Sequence, residues 1–539
     1  MSARFYDVLI LGTTPPALAS AAFLAKGGFR VLVLGQNTYP YSYRINGIEL
    51  PRLTSRSYGL SSTLSTHILA KLGLGQELKK NTINRQHALQ VCLPNHRFTL
   101  GPNRFDNEKE IEREFPEITA LASRFFEQCE TLSEAFSRLT RTQLSLPPAG
   151  LKDSLQLGLR FFQTVNRALV QQGYLLEDFP TQHPFRKSIG AIYQCTAFDR
   201  PDNPAPVDLA RAFALFTRGQ DLAAGELFFE QKLREKILAY GGEIWDDDRA
   251  SKIILNAKGA TEIELANSEK EVGAKTVLVG TSLNEFLELL EDRHPLEPLF
   301  ERVGQPAAHF ARFTVNLLIP RNCIPPSTQG DLLVVSSASS AERNDEILHV
   351  QQHPWPEDDK VLLCVGGFLR IDKHRDLSLD TLREDTIGKL EQVFPFIQDH
   401  IELIDSPHDG KVPTSPGDKM KVHVDQPWTR GPQTMPTMWE YPTRGLHGLG
   451  GLPLRTPLRN LILCNDQVLP GLGMEGALLT AQAATKRVNF IERRRAWLRK
   501  GPFFAAVRCK AESSGKKPSK SVAYSVCTKL CTANALLGS

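Results

Sequence analysis

The sequence predicts an α/β fold: a mostly parallel sheet flanked by helices, joined to a second, α+β domain. Three observations predict it. The first 35 residues read as strand, turn, helix, strand. Comparable α/β segments recur near 217–290 and 456–490. Between them lie long helical stretches and strand-like runs with no internal repeat. At 539 residues the chain is too long for one simple core, and two packed domains are the natural division.

The segment Tyr6-Asp-Val-Leu-Ile-Leu-Gly12 is an apolar run ending in glycine, the pattern of a parallel strand buried on both faces. Pro15 and Pro16 suit a first helical turn, where a missing N–H is not needed. Ala17 to Lys26 is rich in Ala and Leu, and Gly27-Gly28 ends the helix. Phe29-Arg-Val-Leu-Val-Leu34 is a second buried strand. The unit has the length of a right-handed crossover. Residues 61–80 are expected to be helical, as are the Phe- and Leu-bearing stretches of 105–215. Leu222 to Tyr240 reads as an amphipathic helix, followed by strands at Gly241–Trp245 and Thr276–Gly280. Residues 305–455 alternate strand-like runs, such as Phe313–Ile319 and Val361–Val365, with polar loops. Leu461–Asn465, a Gly-rich turn and a helix over 476–494 close the fold.

Composition excludes several classes. Apolar residues make up 41%, and no run of about 18 of them is uninterrupted, so no spanning helix is expected. The N-terminus lacks the charged start and apolar stretch of a secretory signal. Nine dispersed cysteines point to free thiols in a reducing compartment, so a cytoplasmic location is expected. Cys527 and Cys531 form the one close pair and lack companion metal ligands. Net charge is +4, but residues 491–539 hold eleven Lys or Arg against two acids, leaving the body at −5. That is not a nucleic-acid footprint. The segment 496–539 reads as a disordered basic tail, either a solvated extension or a peripheral membrane contact.

The motifs follow from these elements. A dinucleotide-binding turn after a first strand reads G-x-G-x-x-G: one glycine for the turn, one for approach to the pyrophosphate, one for helix–strand packing. Here the turn is Gly12-Thr-Thr-Pro-Pro-Ala17. Gly12 and Ala17 fit the outer positions. Thr14 puts a branched Cβ where phosphate oxygens come near, and Pro15 and Pro16 delete two N–H donors. The ribose-binding acid expected at the end of the second strand is replaced by Gly35, with Gln36 beside it as a neutral substitute.

The C-terminal segment Thr456-Pro-Leu-Arg-Asn-Leu-Ile-Leu-Cys-Asn-Asp466, then Leu469-Pro-Gly-Leu-Gly-Met-Glu-Gly-Ala477, resembles phytoene desaturases and flavin amine oxidases. Those flavoproteins close on a strand, a Gly-Asp pair, a Pro-Gly turn and a final helix. The resemblance implies an FAD/NAD(P)-binding Rossmann-like domain and FAD as cofactor. Asp466 then matches the acid on the ribityl–phosphate part, and Gly471, Gly473 and Gly476 match the turn against the flavin. Asn465 replaces the usual glycine. The stretch from Gly241-Gly-Glu-Ile to Ala250 resembles the segment that passes the adenine by backbone contacts, with Ala250 where Val is usual. The family's Gly-Gly-Arg segment is absent; Asn37–Arg44 stands in its place, with Arg44 the one basic residue there. The implied organisation is a discontinuous Rossmann domain of 1–80, 217–300 and 455–495, with a substrate or cap domain of 81–216 and 301–454.

The implied cofactor-binding set is therefore Gly12, Thr14, Ala17, Gln36, Ala250, Asp466, Gly471, Gly473 and Gly476. No catalytic residue stands out and no metal is expected. Asp246-Asp-Asp248 reads as a solvated loop, His447 as a loop histidine, and no serine-hydrolase elbow is present. Two functions are open. One is an FAD-dependent oxidoreductase that takes a hydride from an apolar or amine substrate. The other is a non-catalytic relative with a degenerate FAD site that acts as a binding or escort protein, as Rab GDP-dissociation inhibitors do in this superfamily.

Overall fold

The computed structural model describes residues 4–500 except 37, 55–57, 85–88, 142–144, 173–174, 197–203, 219, 223–224, 257–258, 267–270, 305–306, 337–345, 372–378, 417–421, 426–429, 441–448 and 450. The readings made for His447 and for the tail beyond 500 lie outside the described residues. Residues 1–485 form one compact unit; of the second, 486–539, the described part continues the last helix.

The first sheet runs in the order 250–256, 259–265, 271–279, 4–11, 31–34, 243–245, and 461–463 also pairs with 271–279. Strand Arg4–Leu11 lies parallel between Glu271–Val279 and Val31–Leu34, with Leu11 opposite both Val279 and Leu34. Its side chains from Val8 to Leu11 are fully buried, because helices cover both faces of a parallel sheet. Glu243–Trp245 extends it in parallel, and Leu461–Leu463 joins the other side of Glu271–Val279. The strands 250–256 and 259–265 form an antiparallel hairpin at the edge. Gly12, Gly35, Gly280 and Cys464 thus follow the carboxyl ends of neighbouring strands, where open α/β sheets place their ligand crevice.

Helix Pro15–Lys26 is buried over almost its whole surface, which only an Ala-rich sequence permits. Ala17 touches the sheet so closely that a Cβ on Gly280 would lie 2.5 Å from its own Cβ. The helix expected over 61–80 is two helices, Thr63–Ala70 and Gly75–Asn81. Gly73, at φ +76°, separates them.

The second sheet runs 403–405, 307–320, 360–370, 347–354, 331–335, 89–92, 97–100, with 437–440 also on 307–320. Its hairpin Leu89–Cys92/Arg97–Leu100 falls where no strand is expected from sequence: each arm has four residues, too few to show a period. One face is apolar, with Phe313, Val315, Leu317 and Ile319 packed on Leu382, Leu390 and Phe394. The alternate residues Arg312, Thr314, Asn316 and Cys364 are also buried but mostly polar. Helices Thr119–Thr140, Pro184–Thr196 and Pro206–Phe216 pack together, and Phe125, Phe126, Phe185 and Phe213 meet between them as core.

Candidate functional site

The turn after the first strand keeps the fold of a dinucleotide turn and spends its polar groups internally. Gly12 sits at φ +92°, and a Cβ there would lie 3.0 Å from the Thr281 nitrogen. Thr14 turns inward: its Oγ1 donates to the Gly280 carbonyl at 2.7 Å. The Thr13 N–H, a natural phosphate donor, donates to Thr38 Oγ1 at 2.8 Å, and that hydroxyl donates to the Gly35 carbonyl at 2.6 Å. The helix N-terminus has proline at its first two positions, and the Leu18 N–H is spent on the Thr14 carbonyl. Of the first four helical donors, Ala17 alone carries an N–H without an intrahelical acceptor.

The end of the second strand is closed more completely. Gly35 is not in a left-handed conformation; it is small because Asp246 crosses it. A Cβ at 35 would lie 3.0 Å from the Asp246 carbonyl carbon and closer still to its oxygen. Asp246 itself is fixed by Arg234 at 2.8 Å, which places the acidic loop in an ion pair. Gln36, only 2% exposed, does not reach toward a ribose. Its Nε2 donates to the Ala250 carbonyl at 3.2 Å, and its Oε1 accepts the Ala250 N–H at 2.7 Å. The backbone edge implied for adenine is therefore already paired, by a side chain from 214 residues away. Arg44 is exposed and takes no part.

Residues of helices Pro206–Phe216 and Pro184–Thr196 close the C-terminal turn. A Cβ on Gly471 would lie 2.8 Å from Asp208 Cβ and nearer to its carboxylate. On Gly473, at φ +50°, it would lie 2.8 Å from the Thr196 carbonyl oxygen, and on Gly476 3.0 Å from Leu472 Cβ. Gly471 and Gly473 admit helices 206–216 and 184–196 to the start of the last helix, whereas Gly476 packs on Leu469 and Leu472 of its own turn. There Glu475, fully buried, receives Arg211 on both oxygens at 2.6 and 2.7 Å, and Ser62 at 2.5 Å. Arg211 also donates to Ser133 and Ser137 at 2.8 and 3.1 Å. In a second buried cluster, His349 Nε2 lies 2.7 Å from Asp331 Oδ1 and 3.2 Å from the Tyr58 hydroxyl.

A cavity of about 190 Å³ remains beside the Gly12–Thr14 turn. Asp466 lines it, together with Gly280–Ser282, Tyr39, Met435 and Trp439. Two buried arginines, Arg52 and Arg312, also line it. Burial pushes the Arg52 guanidinium down to about 10, while the Tyr39 and Tyr43 rings lie 5.6 and 5.4 Å from it. Burial also raises the Glu230 carboxyl against the opposing pull of Arg234. Sequence reasoning missed Thr38, Arg52, Arg312, Asp208 and Glu475. Each takes its place in the site from residues the fold brings to it, Thr38 from Thr13 and Glu475 from Arg211 among them, so no local motif marks it. Among the described residues no group of three His, Cys, Asp or Glu could hold a metal.

FAD can be tested against this geometry. Its pyrophosphate would meet a turn with few free donors, its ribose the Asp246 backbone, and its adenine an edge held by Gln36. The adenylate half does not fit the residues present. The cavity is also smaller than the roughly 300–1,000 Å³ of ordinary ligand sites.

No family model matches the chain, and no curated protein matches it by sequence. Solved structures match its fold. An oxidoreductase from Methanosarcina mazei aligns at 15% identity over 89% of this chain and all of its own, with a TM-score of 0.51. A putrescine oxidase triple mutant aligns at 15% identity over 91% of this chain and 99% of its own, with a TM-score of 0.54. At such identity the likeness is one of fold, and it is the α/β oxidoreductase fold that the motif resemblance implies. Among the described residues no helix is long and apolar enough to cross a membrane.

Proposed function

We propose that this chain is a cofactor-independent binding protein on an oxidoreductase fold, with the adenylate half of the ancestral FAD site closed by its own side chains. The Gln36–Ala250 pair carries the reading. A carboxamide presents one acceptor beside one donor, as the Watson–Crick edge of adenine does. Gln36 therefore satisfies the same backbone N–H and C=O that an adenine would need. The Asp246 backbone over Gly35 and the contact of Asp208 with Gly471 support it from the two ends of the site. The remaining cavity, with Met435, Trp439 and Tyr39 beside Arg52 and Arg312, suits a ligand smaller than a dinucleotide with an apolar body and a polar end.

The test is the visible absorption spectrum of the purified full-length protein, with calorimetric titration of FAD and of AMP. The expected protein is colourless and gives no binding heat with either. Stoichiometric flavin retained through dialysis overturns the proposal. A second reading, an FAD-dependent oxidoreductase acting on an apolar or amine substrate, is favoured by one observation. Asp466 and the Gly280–Ser282 turn still converge on an open cavity beside Gly12. It requires Gln36 to leave Ala250 when the cofactor enters, and the same spectrum decides between them.

A further inference from the structure

A continuous helical stretch, α-helical over Leu151–Phe161, π-helical over Phe162–Asn166 and α-helical again over Arg167–Gln172, is apolar on two separate faces. Leu157, Phe161, Val165 and Ala168 are buried against the body. Leu151, Leu155, Leu159 and Phe162 recur at the same helical spacing and are 80%, 73%, 68% and 68% exposed. Three turns of one helix thus carry a second apolar stripe, about 16 Å long, facing outward. Together the four side chains present on the order of 400–600 Å², as much as the largest patch of an ordinary monomer. Directly beside the stripe runs a polar one: Lys152, Gln156, Arg160, Gln163 and Arg167, all exposed. Asp153 is the one acid between 151 and 167, so this stretch carries a net charge of +2.

We propose that this helix docks the protein on an anionic lipid surface, with Leu151, Leu155, Leu159 and Phe162 in the acyl boundary and the basic stripe at the headgroups. A water-facing helix is expected to be polar there, whereas an interfacial helix pairs an apolar face with a Lys/Arg flank. The charge complement selects lipid over a second copy of the chain. An antiparallel two-fold pairing of the stripe would lay one basic flank beside the other, with like charges opposed. Lipid headgroups of opposite sign meet the same flank favourably. The surface is independent of whether the FAD site is open.

The experiment is vesicle co-sedimentation of the full-length chain at low salt. Vesicles of pure phosphatidylcholine are compared with vesicles containing about one-third phosphatidylglycerol. Wild type is expected to sediment with the anionic vesicles and to bind the neutral ones less. Leu155→Ser with Phe162→Ser should weaken binding about tenfold or more, with an unchanged melting curve because both residues are exposed. Lys152→Glu with Arg160→Glu should abolish the preference for phosphatidylglycerol. Both variants leave the basic C-terminal segment intact. If either binds anionic vesicles as wild type does, another part of the chain carries the contact and the proposal fails. If wild type ignores both vesicles, the proposal also fails. A dimer that the Leu155→Ser, Phe162→Ser change dissolves would then assign the stripe to self-association.

Discussion

Replacing Gln36 by Ala removes both hydrogen bonds to Ala250 and leaves a backbone N–H and a C=O without partners. Ala250 is 2% exposed, so both groups stay largely away from water. Leaving a buried polar group unsatisfied costs about 1–3 kcal/mol. Two such groups would cost about 2–6 kcal/mol, and the space vacated by the carboxamide is polar enough to admit a water, which returns part of that. A loss of about 2–4 kcal/mol is therefore expected, a large share of the roughly 5–15 kcal/mol that holds a folded domain. Urea denaturation followed by tryptophan fluorescence measures it, as a shift in midpoint at unchanged slope. The vacated edge is complementary to adenine's donor–acceptor edge, so added AMP should raise the melting temperature of Gln36→Ala and not that of wild type. A cost below about 0.5 kcal/mol would place the substitution with ordinary surface changes and refute the structural role of the pair. Stabilisation of wild type by AMP would refute the claim that the edge is closed.

Three further outcomes are expected. Gly35→Glu, which restores the ribose acid in sequence terms, should destabilise the protein by about 1–3 kcal/mol without creating FAD binding, because its Cβ meets the Asp246 backbone; flavin titration and denaturation of the variant check both halves. Glu475→Gln should cost about 3–5 kcal/mol by leaving Arg211 buried without its counter-charge, and Arg211→Met with Glu475→Leu should cost less than that single change in a double-mutant cycle. His408 is fully buried between Thr434 Oγ1 at 2.8 Å and the Arg52 carbonyl at 3.2 Å, and burial pulls it from 6.5 down to about 3. The unfolded chain takes up this proton below about pH 6.5 and the folded chain does not until about pH 3. The contribution of His408 is therefore complete above 6.5 and lost as pH falls toward 3, by up to about 4–5 kcal/mol. His408→Gln should flatten that part of the stability–pH curve, read by urea midpoints at about pH 7 and pH 4.5.

The parallel sheet was legible because a strand buried on both faces writes itself as an unbroken apolar run: Val8–Leu11, Val31–Leu34, Val277–Val279 and Leu461–Leu463 all do. The hairpin at 89–100 was not, since Gln90 and Thr99 interrupt arms of four residues. The site divides along a different line. What the chain does locally could be read: the prolines that remove donors, the glycine in place of the ribose acid, the threonine in the turn. What depends on a distant partner could not. Gln36 looks like a weak ribose contact until the fold brings Ala250 against it.

The glycines show why surviving motifs are weak witnesses for a cofactor. A glycine at 471, 473 or 476 says that something comes too close for a Cβ, and sequence cannot say what. In the family the resemblance points to, that neighbour is a flavin; here it is Asp208, the Thr196 carbonyl and Leu472. Packing alone therefore accounts for these three glycines: helices 206–216 and 184–196 come against the first two, and the turn folds on itself at the third. The C-terminal motif does not by itself require a cofactor. Gln36 is different in kind: a glycine is permissive toward any neighbour, whereas a buried carboxamide paired to one backbone N–H and one C=O excludes another occupant of that edge. One specific filled contact therefore weighs more in the functional reading than three retained glycines.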